Sequence, residues 1–241
     1  MGRNSRFPHG DGEPGGGVAA RLIVLGRQGA GKGTQCVRLA DRLGVAHVST
    51  GDLFRTEISS GSALGRELQR YVLAGDLVPD PVVLDVVASK LGDTPSRAGG
   101  YLLDGFPRTL AQGQALFETL GASAADLAVE LDVPRQVVAR RLALRRVCED
   151  CGAVTSAPGK SDAVPCHYCG GALRQRADDH PDVIDHRLSV YEEEATPLLV
   201  WLDQQGLLVS VDGLGEPDDV HQRLFDAVAQ RIPAVREAAA S

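Results

Sequence analysis

A glycine-rich turn between an apolar run and an amphipathic one constrains this chain more than any other stretch. Gly26-Arg27-Gln28-Gly29-Ala30-Gly31-Lys32-Gly33-Thr34-Gln35 follows the apolar run Leu22 to Leu25 and opens a segment of helical period that continues through Leu43. A strand, a tight turn and a helix in that order bring backbone N–H groups together around a polyanion, with the positive end of the helix behind them. Lys32 adds a full charge for terminal phosphates. The strict form of such a loop has Ser or Thr directly after the lysine to hold magnesium, whereas here Gly33 stands in that place and Thr34 comes one residue later. A joint used only for close packing would not need three glycines and a lysine in register.

Beyond the loop, apolar β-like runs at Arg21 to Leu25, Ala46 to Val48, Tyr101 to Asp104, Leu127 to Leu131 and Leu207 to Val211 are separated by material of helical period. That alternation predicts an α/β fold with a parallel sheet. Helices are expected over Gly31 to Leu43, Gly51 to Ser59, Ala63 to Leu73, Pro81 to Leu91, Leu110 to Leu120, Pro134 to Arg145, Pro181 to Leu202 and Asp218 to Ile232. Two segments break the rhythm, Ser49 to Val78 and the Cys- and Gly-rich Val147 to Asp179, and both read as flaps inserted over a core. With 241 residues, 43% of them hydrophobic, the chain can bury one good core with small insertions. Its longest apolar runs are far short of a membrane span, and the first twenty residues carry no apolar signal region, so a soluble, cytoplasmic protein with no membrane partner is expected. Met1-Gly2 brushes a myristoylation pattern that Arg6 breaks, and residues 1–20 read as a disordered leader. A formal charge of -7 disfavours a general nucleic-acid binder, whose affinity rests on a basic surface.

The second flap carries Cys148-Glu149-Asp150-Cys151 and, fourteen residues on, Cys166-His167-Tyr168-Cys169. Two such knuckles can bring four thiolates to one zinc ion. Paired disulfides are the competing reading, opposed by the lack of a secretory signal. Four cysteine ligands leave no open position, so the zinc would be structural and His167 need not bind it. Cys36, the fifth cysteine, reads as a buried apolar residue.

Arginines crowd the edges of this flap. On a helix from Pro134, Arg141 and Arg145 fall one turn apart within the sector of Val137, Val138 and Leu142. Arg187 sits at the edge of the stripe Ile184, Leu188, Tyr191, Ala195, Leu199 and Leu202, and Arg176 precedes Asp178 and Asp179. A single arginine is most simply a solvated surface charge. Four of them around an insertion next to a phosphate loop suit a transferring phosphoryl group, because guanidinium forks match phosphate oxygens and keep their proton. In Tyr101 to Thr109 an apolar strand ends on Asp104, which is either a turn former or a carboxylate placed to steady hydrated magnesium.

Taken in order, the chain resembles the adenylate kinase family over Arg21 to Ile232. The likeness rests on Gly26 to Gln35 with its Gly-Lys-Gly-Thr, Ser49-Thr50-Gly51-Asp52-Leu53-Phe54-Arg55, Gly75-Asp76-Leu77-Val78-Pro79-Asp80, Asp104 to Thr109 extended to Gln112, and Arg176-Ala177-Asp178-Asp179 with Arg187 beyond. The resemblance implies a P-loop NTPase-like, five-stranded parallel sheet flanked by helices. It divides the chain into a leader (1–20), core segments 21–48, 79–145 and 180–232, an AMP-binding flap (49–78), a zinc-binding lid (146–179) and a tail (233–241). ATP would meet Gly29, Ala30, Gly31, Lys32, Gly33, Thr34 and Arg141, and AMP would meet Thr50, Arg55, Val78, Gly105, Arg108, Gln112, Arg176 and Arg187. The catalytic set implied is Lys32, Asp104, Arg108, Arg141, Arg145, Arg176 and Arg187, with Mg2+ accompanying ATP and structural Zn2+ on Cys148, Cys151, Cys166 and Cys169. The implied reaction converts ATP and AMP to two ADP in a monomer. The family usually has Pro where this chain has Gln28, which bears on the stiffness of the loop. A kinase for UMP, CMP or GMP is the nearer alternative, and a non-catalytic nucleotide sensor or zinc-ribbon module the distant one.

Overall fold

The computed structural model describes residues 18–92, 99–156 and 164–239, so most of the expected leader and the last two residues of the tail lie outside the described residues. In chain order the core begins with β1 (Ala20–Leu25), α1 (Lys32–Leu43), β2 (Ala46–Ser49), α2 (Thr50–Ser60), α3 (Ala63–Ala74) and α4 (Asp80–Gly92). It continues with β3 (Gly100–Asp104), α5 (Leu110–Leu120), β4 (Leu127–Asp132) and α6 (Arg135–Leu144). Then come the short strands β5 (Arg145–Cys148), β6 (Val154–Ser156) and β7 (Leu173–Arg174), and finally α7 (Pro181–Gln204), β8 (Leu208–Asp212), α8 (Pro217–Arg231) and α9 (Pro233–Ala239).

Among the described residues, five strands form one sheet in the order β2-β3-β1-β4-β8, with every neighbouring pair parallel. Successive side chains of a strand point to opposite faces, and both faces here are covered by helices, so the central strands are mostly apolar and buried. Leu22, Val24, Leu102, Leu127, Val129 and Leu131 pack on one face against Leu39 and Leu43 of α1, Val138 and Leu142 of α6, and Leu224 and Val228 of α8. Ile23, Leu25, Leu103 and Ala128 pack on the other against Phe54, Leu68, Val87 and Leu116. Helix α7 serves both clusters, with Ile184 and Leu188 in the first and Leu198 and Leu202 in the second. The chain leaves β1 toward β2 on one side of the sheet and leaves β4 toward β8 on the other. A parallel sheet with such a switch opens a crevice at the carboxyl ends of its central strands.

The second sheet is small and antiparallel, in the order β6-β5-β7. Its apolar core consists of Cys148, Ala153, Cys166 and Leu173 with Cys151 packed beside them. Cysteines make up most of that cluster, so little apolar burial is left to hold this segment together by itself.

Two stretches differ from the sequence-based expectation. Helix α6 ends at Leu144, and Arg145 is extended (φ -64, ψ 134) and pairs with Ser156 as the first residue of β5. Arg141 and Arg145 are therefore not neighbours on one helix. Helical period continues through Arg145 in the sequence, but its strand partner and its ion-pair partner both lie later in the chain. Part of the segment read as tail forms α9, anchored by the buried Val235. Among the described residues, no helix is long and apolar enough to cross a membrane.

Candidate active site

The glycine-rich turn lies at the carboxyl end of β1. Gly26, Gly29 and Gly31 all have positive φ, and α1 starts at Lys32 without a side-chain cap. An uncapped first turn keeps its N–H groups available to an anion. Gly29 is required by packing as well, since a Cβ there would come within 2.9 Å of Leu142 Cγ and 3.0 Å of Val138 O. Lys32 folds back over the loop, donating to Gly26 O at 2.5 Å and to Arg27 O at 3.0 Å. Burial pushes its pKa down to about 8, partly opposed by the Asp104 carboxylate. Thr34 is exposed in the first turn of α1. Arg141 reaches the loop from α6, with Nη1 donating to Ala30 O at 3.2 Å and Nη2 donating to Gly213 O at 3.4 Å.

The other arginines form a separate, mutually repelling group. Burial and the charge of Arg187 bring Arg108 down to about 10, and burial with Arg55 and Arg145 does the same to Arg176. Cations packed so closely remain charged at neutral pH and favour the arrival of an anion. Two carboxylates hold part of the group in place. Arg145 donates Nε and Nη2 to the fully buried Asp179 at 2.7 and 2.5 Å, and Arg187 pairs with Asp178. Although burial raises the Asp178 carboxyl, the charges of Arg187, Arg145 and Arg176 hold it below the ordinary range. Gly75 lets the turn after α3 sit on the stem of Arg187, where a Cβ would meet Cγ at 2.7 Å. Arg55 is more exposed and donates to Asp52 Oδ1 at 2.5 Å.

A pocket lined by Thr50, Phe54, Leu77, Val78, Val83, Gly105, Arg108 and Gln112 adjoins this group. Thr50 Oγ1 donates to Gly105 O at 3.0 Å, and Arg108 Nε donates to the same oxygen at 2.8 Å. Gln112 is buried with its amide orientation set at both ends. Its Oε1 accepts from the Arg108 N–H at 2.8 Å, while its Nε2 donates to Asp80 Oδ1 at 2.6 Å. Thr109 caps α5 by accepting from the Gln112 N–H at 3.1 Å.

The four cysteines of the second sheet meet at one point. All four sulfurs lie within 4.8 Å of one another, with Cys148 to Cys169 at 3.4 Å and Cys151 to Cys166 at 3.7 Å, and none forms a disulfide. Thiolates at about 2.3 Å on a tetrahedron stand about 3.8 Å apart, so the cluster fits a zinc ion. Within the cluster the Cys151 backbone N–H lowers Cys148 to about 7, while the neighbouring thiols raise Cys169.

The expected loop residues thus share one turn, and Thr50, Val78, Gly105, Arg108 and Gln112 share one pocket. Arg141 contacts one loop carbonyl, Ala30 O, and the Gly213 carbonyl beyond β8. Several contributors were not singled out in the sequence. Asp80 orients Gln112, and Asp178 and Asp179 hold Arg187 and Arg145. Arg27 fastens the loop to Asp132 (3.2 Å) and Glu192 (3.1 Å). Asp80, Asp178 and Asp179 all stood inside quoted motifs, but a carboxylate in a motif does not reveal which cation it meets. Gln28 Oε1 is buried without a hydrogen bond.

Known proteins resemble this chain over most of its length. The family model for adenylate kinase matches residues 24–207. The chain is 44% identical over 197 residues to the adenylate kinase of Moorella thermoacetica, a match covering 80% of this chain and 90% of the relative. It is 42% identical over 205 residues to that of Thermodesulfovibrio yellowstonii, covering 83% and 94%. Identity to the Streptomyces avermitilis adenylate kinase is 40% over 214 residues, covering 86% and 96%.

Proposed function

The chain belongs to the adenylate kinase family, and on that premise we propose how its residues share the transfer of the terminal phosphoryl group of ATP to AMP, giving two ADP. The observation that carries the reading is an arginine group that reaches both sites, since Arg108 lines the Gln112 pocket while the charges of Arg108 and Arg187 act on Lys32 of the glycine-rich loop. An oxygen of the AMP phosphate attacks the γ-phosphorus of ATP, a new P–O bond forms, and the bond to the β-phosphate oxygen breaks to release ADP. That oxygen is already ionised at neutral pH, so no dedicated base is needed and catalysis consists of positioning and charge neutralisation.

Gly29 to Thr34, Lys32 and Arg141 hold the ATP phosphates. Arg55 and Arg108 take the AMP phosphate, and Thr50, Val78, Gly105 and Gln112 accept its adenine. Arg145, Arg176 and Arg187 surround the group in transit, with Asp178 and Asp179 fixing two of their forks. Asp104 and Thr34 are oxygen donors of the kind magnesium takes and would hold its hydrated ion, which supplies further neutralisation of phosphate charge. Residues 49–78 act as the AMP flap and 146–179 as the lid, over the core segments 21–48, 79–145 and 180–232. Closure of both would exclude water from the phosphoryl group. A structural zinc on Cys148, Cys151, Cys166 and Cys169 would keep the lid folded. Every proposed group lies within one chain, which supports a monomer.

A coupled assay with ATP and each monophosphate tests the reading. AMP should give the highest kcat/KM, with production of ADP. An equal or higher value for GMP, CMP or UMP would transfer the assignment to another monophosphate kinase, and no turnover with any of them would leave only nucleotide binding.

A further inference from the structure

Three potential ligands of different chemistry converge beside the phosphate loop, on elements of the rigid core. Cys36 comes from α1, His47 from β2 and Asp104 from the end of β3, and their ligand atoms lie within 4.8 Å of one another. His47 Nε2 stands 3.4 Å from Asp104 Oδ2. Two N or O ligands at about 2.1 Å on a tetrahedral ion stand about 3.4 Å apart, so this separation is that of a ligand pair. The contact does not serve as an ordinary hydrogen bond, because His47 Nε2 is buried and makes none. A buried, unpartnered ring nitrogen facing a carboxylate and a thiol calls for a partner that accepts electron pairs from all three.

We propose that Cys36, His47 and Asp104 form a second site for a thiophilic divalent cation such as Zn2+, separate from the four-cysteine cluster, and that its occupation inhibits phosphoryl transfer. Three protein ligands leave a fourth position for water. On binding, the thiol proton passes to solvent and sulfur bonds to the metal, with no change of oxidation state. The Asp104 carboxylate favours the charged form of Lys32, while burial and the same carboxylate keep the Cys36 thiol protonated until a metal displaces that proton. The metal therefore competes with Lys32 for Asp104 and draws that carboxylate away from the nucleotide phosphates. The inhibitory half rests on the role proposed above for Asp104, whereas the site itself does not.

The test uses the full chain with its four-cysteine cluster preloaded with zinc, titrated with Co2+ in the wild type, Cys36→Ala and His47→Gln. Wild type should bind one further equivalent with a thiolate-to-cobalt charge-transfer absorption, and Cys36→Ala should lack that absorption. Zinc should inhibit wild type, and inhibition should weaken about tenfold or more in both variants, the least that loss of even an outer partner costs a metal site. With magnesium present and no zinc added beyond the four-cysteine cluster, turnover should be unchanged in the variants. The same cobalt uptake and spectrum in wild type and Cys36→Ala would overturn the proposal, because exchange into the lid or surface binding would produce that result. Cobalt uptake that depends on Cys36 without any inhibition would overturn the inhibitory half alone. If turnover with AMP were absent altogether, the metal count would still decide whether the site exists.

Discussion

Raising the pH through the titration of Lys32 should weaken ATP binding by an amount the structure sets. In the free protein burial lowers this ammonium to about 8. Phosphate charge placed against it in the complex raises its pKa again, so binding takes up a proton wherever the free lysine is neutral. The sign follows directly. Affinity is complete below about 8 and is lost as the pH climbs through that value toward the higher pKa of the complex. With a free pKa near 8 the lysine is about nine-tenths charged at pH 7 and about one-tenth at pH 9, which makes ATP about tenfold weaker at pH 9, or about 1.4 kcal/mol. Magnesium-bound ATP is fully ionised over that range, and Arg108 and Arg176, near 10, still carry most of their charge. Calorimetry of ATP binding in two buffers of different ionisation enthalpy should show uptake of about half a proton at pH 8. Lys32→Arg keeps its charge throughout and should show neither the uptake nor the loss of affinity. Equal affinity at pH 7 and pH 9 in the wild type, or the same pH dependence in Lys32→Arg, would refute the reasoning.

Further outcomes follow from particular contacts. Arg145→Ala leaves the fully buried Asp179 without its partner, so it should cost about 3–5 kcal/mol as well as turnover. Thermal melts should show Arg145→Ala/Asp179→Ala recovering stability but not activity, and an unchanged Tm in the single variant would remove the structural role. Arg108→Ala, whose carbonyl partner is Gly105, should keep the fold while turnover drops about 10²-fold, as steady-state kinetics would report. Asp80→Ala frees the Gln112 amide and should raise KM for AMP about 5- to 150-fold, corresponding to an unmet buried donor, with KM for ATP nearly unchanged. An unaltered AMP dependence would show that Gln112 does not need the orientation. Metal analysis should find about one zinc per chain at the four-cysteine cluster, and chelation should open residues 146–179 to protease while the core stays intact. A protease-resistant lid after chelation would mean that the segment folds without metal.

Much of this architecture is legible in local spacing. An apolar run followed by Gly29, Gly31 and Lys32 encodes strand, turn and helix within a few residues, and two Cys-x-x-Cys knuckles encode a four-cysteine cluster because each knuckle is itself a local loop. Motif order likewise placed Thr50, Val78, Arg108 and Gln112 together. Local period misled where a distant partner decides the conformation. Arg145 continues the helical pattern of α6, yet it starts a strand because Ser156 pairs with it and Asp179, 34 residues away in the chain, receives its side chain. The same limit hid Asp80, whose carboxylate meets Gln112 across 32 residues.

Cys36 shows the division most plainly. By itself a cysteine in an amphipathic helix is one more apolar residue, and burial bears that out. What places it beside His47 and Asp104 is the parallel pairing of β2 with β3, which aligns Ser49 with Asp104 and so brings His47 to the same end of the sheet as the helix that follows β1. The sequence by itself determined the five core strands, most of the helices, the phosphate loop and the cysteine knuckles, because backbone period and short-loop geometry act over a few residues. Only the tertiary structure decided which carboxylate holds which arginine, how Gln112 is turned and what surrounds Cys36, because those distances depend on strand order and on crossovers that no local pattern records.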